Sequence, residues 1–312
     1  MRVLVVMVSV VVVLLGSIWF IQDSESSDDI SFKHIHGLGF SENGELLVAA
    51  HDGLNIKDSD WYEADDRPLH DYMGFSVYDS GFYSSGHPEP GSDLENPLGL
   101  VHSDDQGQTL DVLGFHGEID FHRLTVGYYT EDILLFNPEN HPNLGEVGFY
   151  YSTDQGKSWD EVEANGLESV QITNVHNPEV DIAVHPEEEG VFAVSSLDGV
   201  YISDDYGQTF EQISDIPGGV AVTFDFNNQL VISTVSSELI KVNLDTLESE
   251  SMTAPPTGED IINYIANDPS DSDLYAVASF IPNQPDENLY IYITEDGGQT
   301  WEISVEESKA VQ

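Results

Sequence analysis

The chain has 312 residues, and 58 acidic against 8 basic side chains give it a formal net charge of −50. Hydrophobic residues make up 40% and aromatics 10%, enough for a packed core, so the acidity does not signal disorder. A surface this anionic repels phosphate backbones and excludes nucleic acid as a partner, while the lack of cysteine removes disulfides, thiolate metal sites and cysteine nucleophiles. The acids are spread along the whole chain, which fits solubility in a salty medium where counterions screen self-repulsion, and so a halophilic setting.

Arg2 precedes an apolar run from Val3 to Ile21, interrupted only by Ser9, Gly16 and Ser17. At 1.5 Å per residue this run matches a bilayer core of about 30 Å. Arg2 on one side and acidic residues 23–29 on the other predict that the N-terminus stays inside and the rest lies outside. No small-residue cleavage site follows, which favours an uncleaved anchor over residues 1–21 and an acidic tether over 22–30. The expected location is the cell surface, with the body outside and membrane contact through this segment only; cleavage would make the protein secreted.

From residue 31 onward the chain repeats itself. Segments 103–110, 152–159, 203–210 and 294–301 share a Ser/Thr, an Asp two residues on, a Gly two further, then Thr/Ser and, in three of the four, a terminal aromatic. The first three starts are about 50 residues apart and the last gap is nearly double. Each follows a β-rich run such as 148–151 and precedes a short strand such as 159–162. The Asp can accept backbone N–H groups across a turn and the Gly supplies positive φ, so turn chemistry explains the motif without catalysis. These segments resemble the Asp box, or BNR repeat, of sialidases, sortilin-type receptors and related β-propellers.

Upstream of the boxes lie paired apolar strands separated by polar turns, at 37–50, 181–194, 222–233 and 264–277. Together they predict six units starting near residues 33, 70, 120, 175, 220 and 261. The first and fifth carry 55–61 and 241–247 where a box would stand. The predicted fold is all-β, a six-bladed propeller spanning residues 31–312, with seven blades as the alternative if the long second or third unit hides another. A monomer is expected.

In such a ring the boxes occupy one face, and the connections between second and third strands occupy the other. Those connections are elaborated at 88–97, 138–146 and 282–288, which marks that face as the binding side. Nine of the eleven histidines fall before residue 142. Aligning the blades puts His51 and His87 at one position, His34 over His70 and His36 over Tyr72, with His116 to His122 entering the same region. Glu179 and Asp181 take the corresponding places in the fourth unit.

Three readings follow. The histidines tie loops to the sheet; or His34, His36, His51, His87, His116 or His122 supply ligands to Zn²⁺, Cu²⁺ or a similar ion; or Glu118 or Asp120 with a neighbouring His forms an acid/base site. His34 and His36 alternate on one strand face, which permits joint ligation.

The stretches 34–40, 81–88, 96–100 and 116–122 resemble bacterial exported propellers labelled glycosyl hydrolases. The resemblance implies a glycosidase on an extracellular glycan; the acid/base reading of the residues would make Glu118 and Asp120 its catalytic pair. It does not extend to sialidase chemistry, which holds the substrate carboxylate with three arginines; only Arg67 and Arg123 follow the apolar segment. The expectation is a cell-surface propeller binding a glycan, protein or metal ligand through its elaborated face, with glycan hydrolysis as the alternative.

Overall fold

The computed structural model describes residues 30–63, 67–176, 178–213, 216, 218–281 and 289–311. The expected anchor, nearly all of the tether and the 282–288 insertion lie outside these. Among the described residues no helix is long and apolar enough to cross a membrane.

Strand pairing yields six antiparallel sheets arranged as propeller blades. The first contains β1 (Ile35–Phe40), β2 (Leu46–Ala50), β3 (Gly53–Lys57) and β4 (Trp61–Glu63). The second contains β5 (Asp71–Tyr78), β6 (Gly81–His87), β7 (Leu100–Ser103) and β8 (Asp111–Gly114). The third contains β9 (Leu124–Val126), β10 (Ile133–Asn137), β11 (Gly148–Ser152) and β12 (Asp160–Glu161), and the fourth β13 (Val180–Val184), β14 (Phe192–Ser196), β15 (Gly199–Ser203) and β16 (Glu211–Gln212). The fifth holds β17 (Val222–Phe224), β18 (Gln229–Ser233), β19 (Leu239–Asn243) and β20 (Ser249–Met252). The sixth holds β21 (Ile261–Asn267), β22 (Tyr275–Phe280), β23 (Tyr290–Thr294), β24 (Glu302–Glu306) and the added β25 (Lys309–Ala310). The long second and third units contain loops rather than a seventh blade, so the six-bladed expectation holds.

Each second strand is packed on both faces, which is why β2, β10 and β14 read as runs of buried residues rather than alternating ones. Apolar clusters fill the spaces between neighbouring blades, as where Leu47 and Ile56 of the first meet Phe75 and Phe82 of the second. The outermost strands β12 and β16 are two exposed polar residues each. Short, charged edges of this kind discourage pairing with another chain.

Four box turns join third to outer strands with one bonding scheme. In the fourth blade the Ser203 hydroxyl accepts the Gly207 N–H at 2.9 Å and donates to Asp205 Oδ1 at 2.8 Å. Asp205 in turn accepts the Thr209 N–H at 2.9 Å and its hydroxyl at 2.7 Å. Gly207 has φ of 74°, where a Cβ would be strained. The fifth blade lacks the box and substitutes Asn243, whose side-chain oxygen accepts the Asp245 and Thr246 N–H groups at 3.1 and 3.0 Å.

The ring closes by adding the start of the chain to the edge of the last blade. Ser31 bridges Lys309, the Phe32 N–H reaches Ser308 O at 2.9 Å, and the Ala310 N–H reaches Ile30 O at 3.2 Å. Trp61 of the first blade spans the seam, donating its indole N–H to Ser304 Oγ at 3.0 Å. The clasp leads directly into His34 and His36, so ring closure fixes where those imidazoles stand.

Candidate functional site

The face opposite the boxes carries the ends of β2 and β6, the starts of β1 and β5, and the 115–123 connection between the second and third blades. Local irregularities aim the side chains there. In the β1–β2 ladder Ile35 pairs with Ala50 and Gly37 with Ala49, leaving His36 as an extra, bulged residue. His34 has φ of 45°, an uncommon conformation for a residue with a Cβ, costing on the order of 1 kcal/mol. The β5–β6 ladder is likewise shifted between Tyr72 and Phe75. Gly86 permits this: at φ of 121° its backbone approaches so closely that a Cβ would lie 2.0 Å from Asp71 O.

These devices bring His34, His36 and His51 together. One ligating atom from each lies within 4.8 Å of the others; ring centroids are 4.6 to 4.8 Å apart, with His51 stacked against both His34 and His36. Asp71, from the neighbouring blade, closes the group. Its Oδ1 is 3.8 Å from His36 Nε2 and 3.9 Å from His51 Nε2. His36 Nε2 and Asp71 Oδ1 are both buried and neither has a hydrogen-bond partner. Burial, together with the charges of His34, His51, His122 and Arg123, pushes the His36 pKa down to about 2, so this imidazole is neutral. Burial raises the Asp71 carboxyl, partly opposed by His51 and His87.

A second group adjoins the first. Asp71 is the cross-strand partner of His87 in the β5–β6 ladder. His87 Nε2 lies 3.4 Å from Asp120 Oδ2, which also bonds His122 Nε2 at 2.8 Å. His87 Nδ1 pairs with Asn96 Oδ1 at 2.7 Å. An amide oxygen only accepts, so Nδ1 carries a proton and Nε2 is the nitrogen that faces Asp120.

The other sequence candidates stand elsewhere. His116 uses both ring nitrogens on backbone, accepting the Glu95 N–H at 2.9 Å and bonding Leu98 O at 3.0 Å. It ties down the 88–97 loop and has no nitrogen left for an ion. Glu118 is half exposed and pairs with His141 Nε2 at 3.1 Å, so it and Asp120 engage different histidines. His70 is buried and accepts the Glu89 N–H at 3.0 Å, while Tyr72 packs in the core. Glu179 caps the backbone of Thr173 and Asn174. Asp181 sits deeper in the channel, accepting the Val222 N–H at 2.9 Å, with burial raising its pKa against the pull of Arg123. The fourth blade therefore adds nothing to the histidine group. Asp71 is the residue that counting along the strands passes over, although its position between His70 and Tyr72 was a signal for it.

Below the histidines the channel continues as a cavity of about 160 Å³ lined by residues including Arg123, Asp181, Tyr264 and Asn267. Arg123 is anchored there by its Nε–H to Val180 O at 2.6 Å.

The BNR/Asp-box repeat family matches residues 150–161, the box turn of the third blade. No curated protein matches it significantly. Among solved structures it is similar to the GH74 xyloglucanase from Xanthomonas campestris, at 15% identity and a TM-score of 0.57, covering 89% of this chain and 46% of that one. A GH74 enzyme from Niastella koreensis gives 14% identity, a TM-score of 0.57 and the same coverage. The chain thus spans about half the length of these enzymes. A structure of the nidogen/laminin complex aligns at 9% identity and a TM-score of 0.54, covering 87% of this chain and 90% of that one. At these identities the likeness is one of fold.

Proposed function

We propose that this protein is a cell-surface propeller that binds a divalent transition-metal ion, Zn²⁺ or Cu²⁺, through His34, His36, His51 and Asp71. The observation that carries this reading is the unpartnered pair formed by His36 Nε2 and Asp71 Oδ1. A buried polar atom without a partner costs about 1–3 kcal/mol, and here two such atoms face each other. A cation between them satisfies both. Three imidazoles and one carboxylate form a sulfur-free set suited to these ions. Ligands around a tetrahedral Zn²⁺ stand about 3.3 Å apart, which small side-chain rotations reach from the separations here. The net charge of −50 draws cations towards the surface, and the 88–97 loop frames the mouth.

The test is metal content of the full chain, purified without a polyhistidine tag in detergent and high salt, then dialysed against a weak chelator. Retained Zn or Cu that disappears in His36→Ala and His51→Ala supports the reading; none retained by the parent protein overturns it. A glycan hydrolase would instead show turnover that survives chelation and is lost in Glu118→Gln.

A further inference from the structure

We propose that the central channel is a binding pocket for a small α-amino acid, with Arg123 taking its carboxylate and Asp181 its ammonium group. The pocket uses groups other than the ligands of the metal site and needs no ion there.

Arg123 precedes β9, Asp181 stands near the start of β13 and Tyr264 lies within β21, so three blades present polar groups to one cavity of about 160 Å³. At the box end, Tyr128 after β9 and Phe226 after β17 meet edge to face with centroids 5.2 Å apart. This contact narrows the far end of the channel and leaves the polar groups beside the histidine mouth.

A guanidinium has five N–H donors. In Arg123 the Nε–H goes to Val180 O at 2.6 Å and an Nη1–H to His122 O at 3.2 Å. Both acceptors are backbone oxygens, and among the described residues no ion pair includes Arg123. Burial raises the Asp181 carboxyl and Arg123 opposes this, yet the bonds that Asp181 accepts come from the Val222 and Ile182 N–H groups. A cation and an acid that share a cavity without pairing suit a ligand carrying the opposite charges. The free edge of the guanidinium matches a carboxylate, which it can hold by two parallel bonds. The ammonium group of the same ligand then supplies the cation that Asp181 lacks.

A ligand of no net charge also escapes the repulsion that a net charge of −50 imposes on a plain carboxylate. The volume sets its size. A cavity of about 150 Å³ holds benzene, so there is room here for roughly six non-hydrogen atoms, the number in alanine. Further down the channel the lining turns apolar at Val126, Ile182 and Phe224, which suits a methyl group.

The experiment is calorimetric titration of the full chain, stripped of metal and dialysed free of chelator, with L-alanine, propionate and ethylamine. Alanine should bind once per chain. Propionate and ethylamine each lack one of its charged groups and should bind at least about tenfold more weakly. Arg123→Gln, which keeps an N–H donor, should weaken alanine binding by about 10- to 100-fold. Should that variant not fold, the three ligands compared on the parent decide alone. No alanine binding by the folded parent, either fragment binding as tightly as alanine, or unchanged binding in folded Arg123→Gln overturns the pocket. The metal site is read separately by metal content, so its failure and that of the pocket are distinguishable.

Discussion

His36 Nε2 and Asp71 Oδ1 face one another across 3.8 Å from adjacent blades, both buried and neither hydrogen-bonded. Their side chains are only 12% and 24% exposed, so water does not make good the deficit freely. The bulge at His36 and the positive φ of His34 add backbone cost at the same point. An arrangement disfavoured in the metal-free protein makes sense where a ligand repays it.

The same reasoning predicts a stability–function trade-off for Asp71→Asn. The amide keeps the shape of the carboxylate, removes its charge from a buried place, and offers both an N–H and an oxygen, so that it pairs with either tautomer of His36. The metal-free variant should be more stable than the parent by about 1 kcal/mol, a rise in Tm of roughly 2–4 °C. Its Tm should no longer respond to Zn²⁺, whereas the parent's should rise. Thermal unfolding with and without Zn²⁺ reads both; a destabilised variant that still responds to Zn²⁺ would sink the idea.

The box turns should matter to stability and not to metal. Ser203 is buried, and its hydroxyl is the acceptor for the Gly207 N–H. Ser203→Ala leaves that donor unpaired and should cost about 1–3 kcal/mol. Denaturant unfolding and metal content together check this. Unchanged stability, or a loss of bound metal in the folded variant, would show that the boxes play another part.

A pH dependence follows from the same turns. Asp296 accepts the Thr300 N–H at 2.8 Å and hydroxyl at 2.7 Å, and these bonds bring its pKa down to about 2. A carboxyl lowered in the folded state contributes stability above its unfolded pKa of about 3.9, and that contribution is lost as pH falls through the folded value. Between about pH 4 and pH 2 the parent should therefore lose more Tm than Asp296→Asn does. Parallel slopes for the two proteins would contradict this account of the turn.

The excess of 58 acids over 8 bases makes stability depend on salt. Between about 0.1 M and about 1 M NaCl the screening length shrinks from about 10 Å to about 3 Å, and self-repulsion weakens with it. The Tm should climb steadily across this range. A flat or falling Tm would remove the halophilic interpretation of the charge.

Blade number and box placement were legible in the sequence because both are local. Ser203, Asp205, Gly207 and Thr209 make their turn with one another, so their spacing alone reveals it. The histidine mouth was legible only in part. Counting along strands assumes a period of two, and the bulges at His36 and after Tyr72 break that period. This is why His36 appeared to match Tyr72 and Asp71 went unnoticed. His116 was misassigned for a different reason: an imidazole bonded twice to backbone looks the same in a sequence as one free to bind. The fourth blade failed because Glu179 found nearer partners in its own loop.

The most direct measurement is anomalous diffraction at the zinc edge from crystals of the protein grown with Zn²⁺. The expected result is a peak about 2.1 Å from His36 Nε2 and from Asp71 Oδ1. A map with zinc bound only at surface carboxylates, and with His36 Nε2 hydrogen-bonded to water instead, would contradict the metal-binding function.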